Sequence, residues 1–374
     1  MALSLGRWNR TLRGGMSLNS ILPPAGAFLV AAIVSVVLTP LAIRAALRLG
    51  VLDRPGEHKS HATPTPYLGG VAIVLAVTLS IALAAVVRGE TVTTLTQLLG
   101  ILGIALAMAA VGLLDDLRGL PVVVRFGVQF LAALGLWELG VRVGLTGDPR
   151  IDLPLTVLWT VGITNAMNLL DNMDGLSAST ATIASLWFGA IALINGQFLV
   201  AALAFAVAGG AAGFLRDNRP PARIYMGDAG SLFLGVMLAS LGMLLTIDRG
   251  MLVTAAVPVL ILTVPVLDTA LVTVARIRHG ISPFQGGRDH TSHRLVRVGL
   301  PVPVAVGLIA MASLAHGWVA LLVFRIDRLS ALLLLGLTAL FDLFFFALLA
   351  KVPVYDNSRG RDLFIGERGR SNDA

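Results

Sequence analysis

Apolar residues in this chain come in long, nearly unbroken runs, not at the three-to-four-residue spacing of a helix with one wet face. Eleven such runs lie near residues 23–47, 67–87, 96–114, 121–140, 153–169, 176–194, 197–215, 229–247, 251–275, 303–324 and 329–350. A bilayer-crossing helix needs roughly 20 apolar residues. The pattern therefore predicts an all-α, polytopic transmembrane helical bundle of about eleven spans joined by short loops. The fourth and fifth runs are the most interrupted, by Arg125, Glu138 and Asn165. Residues 1–22 read as a polar segment, 23–350 as one membrane unit, and 351–374 as a flexible basic tail.

Composition agrees. Hydrophobic residues make up 56% of the 374 and charged residues only 13%, with a mean hydropathy of +0.85. A soluble domain carries about a quarter charged residues, so soluble, disordered and collagen-like classes are excluded. The chain has no cysteine, which excludes disulfides, iron–sulfur clusters and Cys-ligated zinc. Its net charge of +7 is scattered between apolar runs and reads as a topology signal, so no nucleic-acid partner is expected. One set of loops plus the tail holds 19 Lys and Arg; the opposite loops hold 6, and the N-terminal segment 3. The richer side is expected in the cytoplasm, giving N-out and C-in.

Groups able to do chemistry cluster on that richer side, and the opposite loops hold little beyond isolated charges. They are Asp53, His58, Lys59 and His61; Asp115 and Asp116; Asn168, Asp171 and Asp174; Asn218 and Asp228; and Asp289, His290, His293 and Arg294. Each cluster has a bland reading as a solvated helix end, a polar turn, a capped helix start or a basic loop. Their one-sided distribution favours a single site built from five loops. Adjacent carboxylates at Asp115 and Asp116 repel unless a cation or proton relieves them. Asn165, Asn168, Asp171 and Asp174 recur every three positions, so neighbouring pairs share a helix face. Met226-Gly227-Asp228-Ala229-Gly230-Ser231 opens an apolar run, where backbone N–H groups meet anions and Asp228 could meet a cation. The two His-x-x-His pairs, beside Lys59 and Arg294, suit phosphate oxygens better than zinc. Oxygen ligands with phosphate-gripping cations suit Mg²⁺, with Mn²⁺ as a substitute, and phosphoryl transfer to a membrane lipid. A cation-coupled secondary transporter is the rival from another class. It would place acids near the bilayer midplane in repeated halves, whereas here they cluster at span ends.

Taken in order, these motifs resemble the polyprenyl-phosphate N-acetylhexosamine-1-phosphate transferases, glycosyl transferase family 4. They are Asp53-x-Pro55, His58-Lys59 with His61 and Gly69-Gly70, Asp115-Asp116, Asn165 to Gly175, Asn218 with Pro221-Ala222, Met226 to Ser231, and the His290/His293 loop. The resemblance covers about residues 50–300. It implies transfer of a sugar-1-phosphate, GlcNAc-1-phosphate by default, from a UDP-sugar to undecaprenyl phosphate, with release of UMP and use of Mg²⁺. It also implies a multi-pass protein of a bacterial cytoplasmic membrane with its site facing inward, surrounded by membrane lipids, and leaves a homodimer open. By the same carry-over, Asp115 takes a proton from the lipid phosphate, and Asp116, Asp171 and Asp228 hold the metal. Asn168 orients the metal shell, Asp174 meets the uridine side, and Lys59, His61, Asn218, His290, His293 and Arg294 hold substrate. Two positions depart from the family pattern. Ser292 stands where a His is frequent, and Asn172 where a Gly is common. The lack of consecutive His leans away from the alternative member, the phospho-MurNAc-pentapeptide translocase.

Overall fold

The computed structural model describes residues 18–53, 64–88, 91–247, 249–356 and 361–362. It is a helical bundle. Among the described residues, nine helices are long and apolar enough to cross a membrane: α1 (Leu18–Leu49), α2 (Gly69–Arg88), α3 (Val92–Arg118), α5 (Pro149–Leu170), α6 (Leu176–Ile194), α7 (Phe198–Asn218), α8 (Gly227–Leu244), α12 (Val302–Arg325) and α13 (Arg328–Ala350). A tenth crossing is broken: α9 (Met251–Ile261) and α10 (Thr263–Arg278) meet at 76°. The remaining predicted run forms α4 (Val122–Glu138), at 17 residues the short end of what spans a bilayer. By length and composition nine helices and the one broken pair qualify, against the eleven expected; the one that falls short is α4, trimmed to 17 residues between Pro121 and Leu139.

The core lies at α7 and α8, whose most apolar stretches are 72% and 78% buried, while that of α13, on the rim, has no buried residue. α7 can be central because its glycines let α1 approach backbone to backbone. A Cβ on Gly209 would sit 2.2 Å from the Phe28 carbonyl oxygen, and one on Gly213 would sit 2.5 Å from that of Ala32. Ser35 Oγ reinforces the contact by donating to the Gly210 carbonyl at 2.8 Å. Small residues at four-residue spacing are the usual means of close helix contact in lipid, where no hydrophobic force separates helix from solvent. On the rim, His316 Nε2 and Asp342 Oδ1, 3.0 Å apart, tie α13 to α12.

Short loops make sequential helices antiparallel, which sends alternate ends to the same side. The last turns of α3, α5 and α7 therefore meet the first turns of α2, α4 and α8. A two-residue strand, β1 (Leu52–Asp53), pairs antiparallel with β2 (Thr65–Pro66) at this end. β2 is followed by a pairing to the loop before α8: Tyr225 N–H donates to the Pro66 carbonyl, Gly69 N–H to that of Tyr225, and Gly70 N–H to that of Met226. Beyond α13 the chain does not leave the bundle as a free tail. Val354 and Tyr355 are buried, and β3 (Tyr355–Asp356) pairs with β4 (Arg361–Asp362).

A candidate active site at one end of the bundle

Asp115 and Asp116 occupy the last turn of α3, and successive helical positions aim their carboxylates differently. Asp116 accepts from the backbone N–H groups of Asp228 (2.9 Å) and Ala229 (3.2 Å), so a carboxylate from the end of one helix sits on the start of another. That start is electropositive and has unpaired N–H donors. The approach depends on Gly227, whose φ is 69° and whose absent Cβ would lie 2.6 Å from Asp116 Oδ2. Tyr67 Oη donates to the Asp116 carbonyl at 2.9 Å and brings the segment after β2 to the same place.

Asp115 Oδ1 accepts from Leu120 N–H, while Oδ2 lies 2.8 Å from Arg125 Nη1. The same guanidinium nitrogen lies 3.5 Å from Asp228 Oδ2. Asp115 and Asp228 are also within hydrogen-bonding reach of each other, a contact that a proton or a cation must mediate. Asn168 Nδ2 reaches Asp228 Oδ1 at 2.7 Å and Ser231 Oγ at 3.0 Å. Asp171 caps α5. Burial, followed by the negative charge of Asp228, Asp116 and Asp174, pushes its carboxyl up to about 8. The structure thus brings Asp115, Asp116, Asn168, Asp171 and Asp228 together.

The expected ladder does not act as one face. Asn165 turns to α4 and exchanges hydrogen bonds with Gln129, deeper in the bundle. Asp174 lies past the helix end and accepts from Ala222 N–H at 2.8 Å. Asn218 has both ends of its amide engaged: Oδ1 accepts from Gly175 N–H at 3.0 Å, and Nδ2 donates to the Ile224 carbonyl at 2.9 Å. It is 3% exposed, so the expectation that it touches substrate is corrected. It braces the two loops that carry Asp174 and Asp228.

The His loop forms a second wall. α11 (Thr291–Arg297) begins after His290, whose Nδ1 lies 2.8 Å from Asp268 Oδ2. His293 is buried beside it, and its imidazole is pushed down to about 4 by burial first and then by the positive His290 and Arg288. It therefore enters the site as a neutral ring, not as the fixed cation the sequence suggested. Arg294 is corrected more strongly. It is 1% exposed and donates to the carbonyls of Asp289, Leu349 and Val352, each at 2.8 or 2.9 Å, so it anchors the end of α13. Lys59 and His61 lie outside the described residues.

Several contributors escaped the sequence reading. Arg125 registered only as a charge interrupting an apolar run. Its position ten residues after Asp115, at the start of the next helix, was the available signal. Ser292 Oγ donates to Asn172 Oδ1, so the two positions that depart from the family pattern touch, and they close the wall between the acidic cluster and the His loop. Asp289 is held by Arg276 Nε and Nη2 at 2.9 and 2.8 Å and by Tyr355 Oη, contacts without a local sequence signature.

Asp116, Asp171 and Asp228 carry oxygen donors of the type a divalent cation takes, with excess negative charge offset locally by Arg125. Among the described residues no group of three or more His, Asp or Glu side chains is arranged to hold a metal ion on protein ligands alone. An open arrangement is what Mg²⁺ adopts when water and phosphate supply the remaining ligands.

Comparison with known proteins is consistent with this geometry. The family model described as glycosyl transferase family 4 matches residues 98–246, from α3 to the end of α8. The probable undecaprenyl-phosphate N-acetylglucosaminyl 1-phosphate transferase of Bacillus subtilis (strain 168) is 34% identical over 283 residues, covering 73% of this chain and 77% of the relative. The decaprenyl-phosphate N-acetylglucosaminephosphotransferase of Mycobacterium tuberculosis (strain ATCC 25618 / H37Rv) is 32% identical over 329 residues, 76% and 80% of the two chains. A phospho-N-acetylmuramoyl-pentapeptide-transferase of Streptococcus pyogenes serotype M12 is 30% identical over 260 residues, 62% of this chain and 77% of the relative. The chain belongs to glycosyl transferase family 4, the polyprenyl-phosphate N-acetylhexosamine-1-phosphate transferases.

Proposed function

We propose that this protein transfers N-acetylglucosamine-1-phosphate from UDP-N-acetylglucosamine to undecaprenyl phosphate at the cytoplasmic face of a bacterial inner membrane. An oxygen of the lipid phosphate bonds to the sugar-bearing phosphorus of the donor. The bond from that phosphorus to the bridging oxygen breaks, and UMP leaves with that oxygen. One observation carries the reading: Asp116, Asp171 and Asp228 converge where Arg125 also reaches, at the membrane end of the bundle.

Asp116, Asp171 and Asp228 are the residues that would hold Mg²⁺, which when bound would neutralise charge on the donor diphosphate. Asn168 keeps Asp228 aimed by its 2.7 Å hydrogen bond. Asp115 receives a proton if the lipid phosphate arrives as its monoanion, with Arg125 as counterion on the emptied side of the carboxylate. Arg125, in reach of both Asp115 and Asp228, is placed to meet phosphate oxygens once those carboxylates turn to other partners. Positioning and charge neutralisation suffice for most of the acceleration in phosphoryl transfer.

The test is incubation of purified protein with undecaprenyl phosphate, Mg²⁺ and a panel of UDP-sugars. UMP and a lipid-linked diphosphate sugar should appear with UDP-N-acetylglucosamine, stop on chelation by EDTA and return with Mg²⁺ or Mn²⁺. Release of UDP in place of UMP would refute sugar-1-phosphate transfer.

A further inference from the structure

Asp268 stands outside the acidic cluster. It lies in α10, six residues past the break at Leu262 that separates α10 from α9, and is 2% exposed. A carboxylate is costly to bury unless its oxygens are satisfied. Here both turn to one loop. Oδ2 is 2.8 Å from His290 Nδ1, and Oδ1 accepts from Thr291 N–H at 2.7 Å. An ionised carboxylate only accepts, so the ring nitrogen facing it must be the donor. Nδ1 therefore carries a proton whatever the charge on the ring, which leaves Nε2, across the ring, as the working nitrogen. The Thr291 contact fixes the backbone at the same point, so ring and loop cannot rotate independently about Asp268.

The loop so fixed is the one joined to the acidic cluster through Ser292 and Asn172, the residue next to Asp171. A buried carboxylate behind a histidine commonly sets which nitrogen acts and where it points. We propose that Asp268 is a positioning residue of the transfer reaction, fixing the tautomer and aim of His290 toward the reacting phosphates. This rests on the function proposed above.

The experiment is a double-mutant cycle on the full-length protein in lipid, following UMP release. Asp268→Asn presents an amide that can donate to Nδ1 and favours the opposite tautomer. It should lower kcat by ~30-fold or more, within the range for losing a carboxylate behind a histidine, and change KM for the UDP-sugar less than about threefold, since ground-state binding is not removed. Asp268→Glu should recover part of the loss. In a His290→Ala background, Asp268→Asn should change kcat less than about twofold, because the residue acts through His290. A purely structural Asp268 would lower both backgrounds by a similar factor, and that result overturns the inference. So does an Asp268→Asn enzyme within about threefold of wild type, and so does failure of both Asp268 variants to fold, which would make it a scaffold residue. If wild-type protein releases no UMP from any UDP-sugar, the function itself fails and this inference falls with it.

Discussion

Four carboxylates repelling one another at a bilayer boundary destabilise the fold they sit in, and three of them are held by specific devices. Asp116 rests on the start of α8, Asp115 on Leu120 and Arg125, and Asp228 on Asn168. Asp228→Asn keeps the shape and the Asn168 contact but removes a charge. It should lower UMP release at least ~10²-fold, the scale of losing one preorganised electrostatic group, while the protein elutes as wild type on size exclusion. Ser292→Ala should free the Asn172 side chain from the His loop and slow turnover by about fivefold, the scale of one lost hydrogen bond of ~1 kcal/mol, visible in steady-state rates. These acids were legible in the sequence because charge among apolar residues is conspicuous. The roles of Arg294 and Asn218 were not. Their side chains are of the kind that grips substrate, but backbone carbonyls and an amide hydrogen from distant segments took them first. Arg125 was missed for the same reason: its contacts with Asp115 and Asp228 are fixed only by tertiary packing.

At the scale of elements, hydrophobic runs located nearly every helix, since a segment without water must close its own backbone hydrogen bonds. Run length said nothing about the break between α9 and α10 or the shortness of α4. The least anticipated element is the stretch after α13, read as a loose tail and found seated on the His loop. Arg294 holds Leu349 and Val352 there, and Tyr355 donates to Asp289. Burial raises the Asp289 carboxyl, but hydrogen bonds from Arg276 and Tyr355, with the positive Arg276 and His290, outweigh it and hold it below the usual range. A depressed carboxylate contributes stability fully above its unfolded pKa, near ~4, and loses it as pH falls toward the folded value. Limited proteolysis should therefore cut near residue 355 readily only below about pH 4. Tyr355→Phe, which deletes one hydrogen bond to a charged group worth ~1.5–3 kcal/mol, should make that cleavage easier at neutral pH.

For the whole molecule, the asymmetry of Lys and Arg predicts which end faces the cytoplasm. The cysteine-free chain makes the test clean. Gly144, in the loop between α4 and α5, and Gly286, between α10 and α11, are exposed with open space around their Cα atoms. In intact cells a membrane-impermeant maleimide should label Gly144→Cys and spare Gly286→Cys until the cells are permeabilised; the reverse pattern would invert the topology. The contacts of Arg294 and Tyr355 bear also on biosynthesis. The His loop is braced by residues that emerge from the ribosome some sixty positions after it. A nascent chain that already displays every acid therefore still lacks one braced wall. A half-made protein halted during insertion would be idle, unable to draw on the cell's stock of lipid carrier before its last helix is in place.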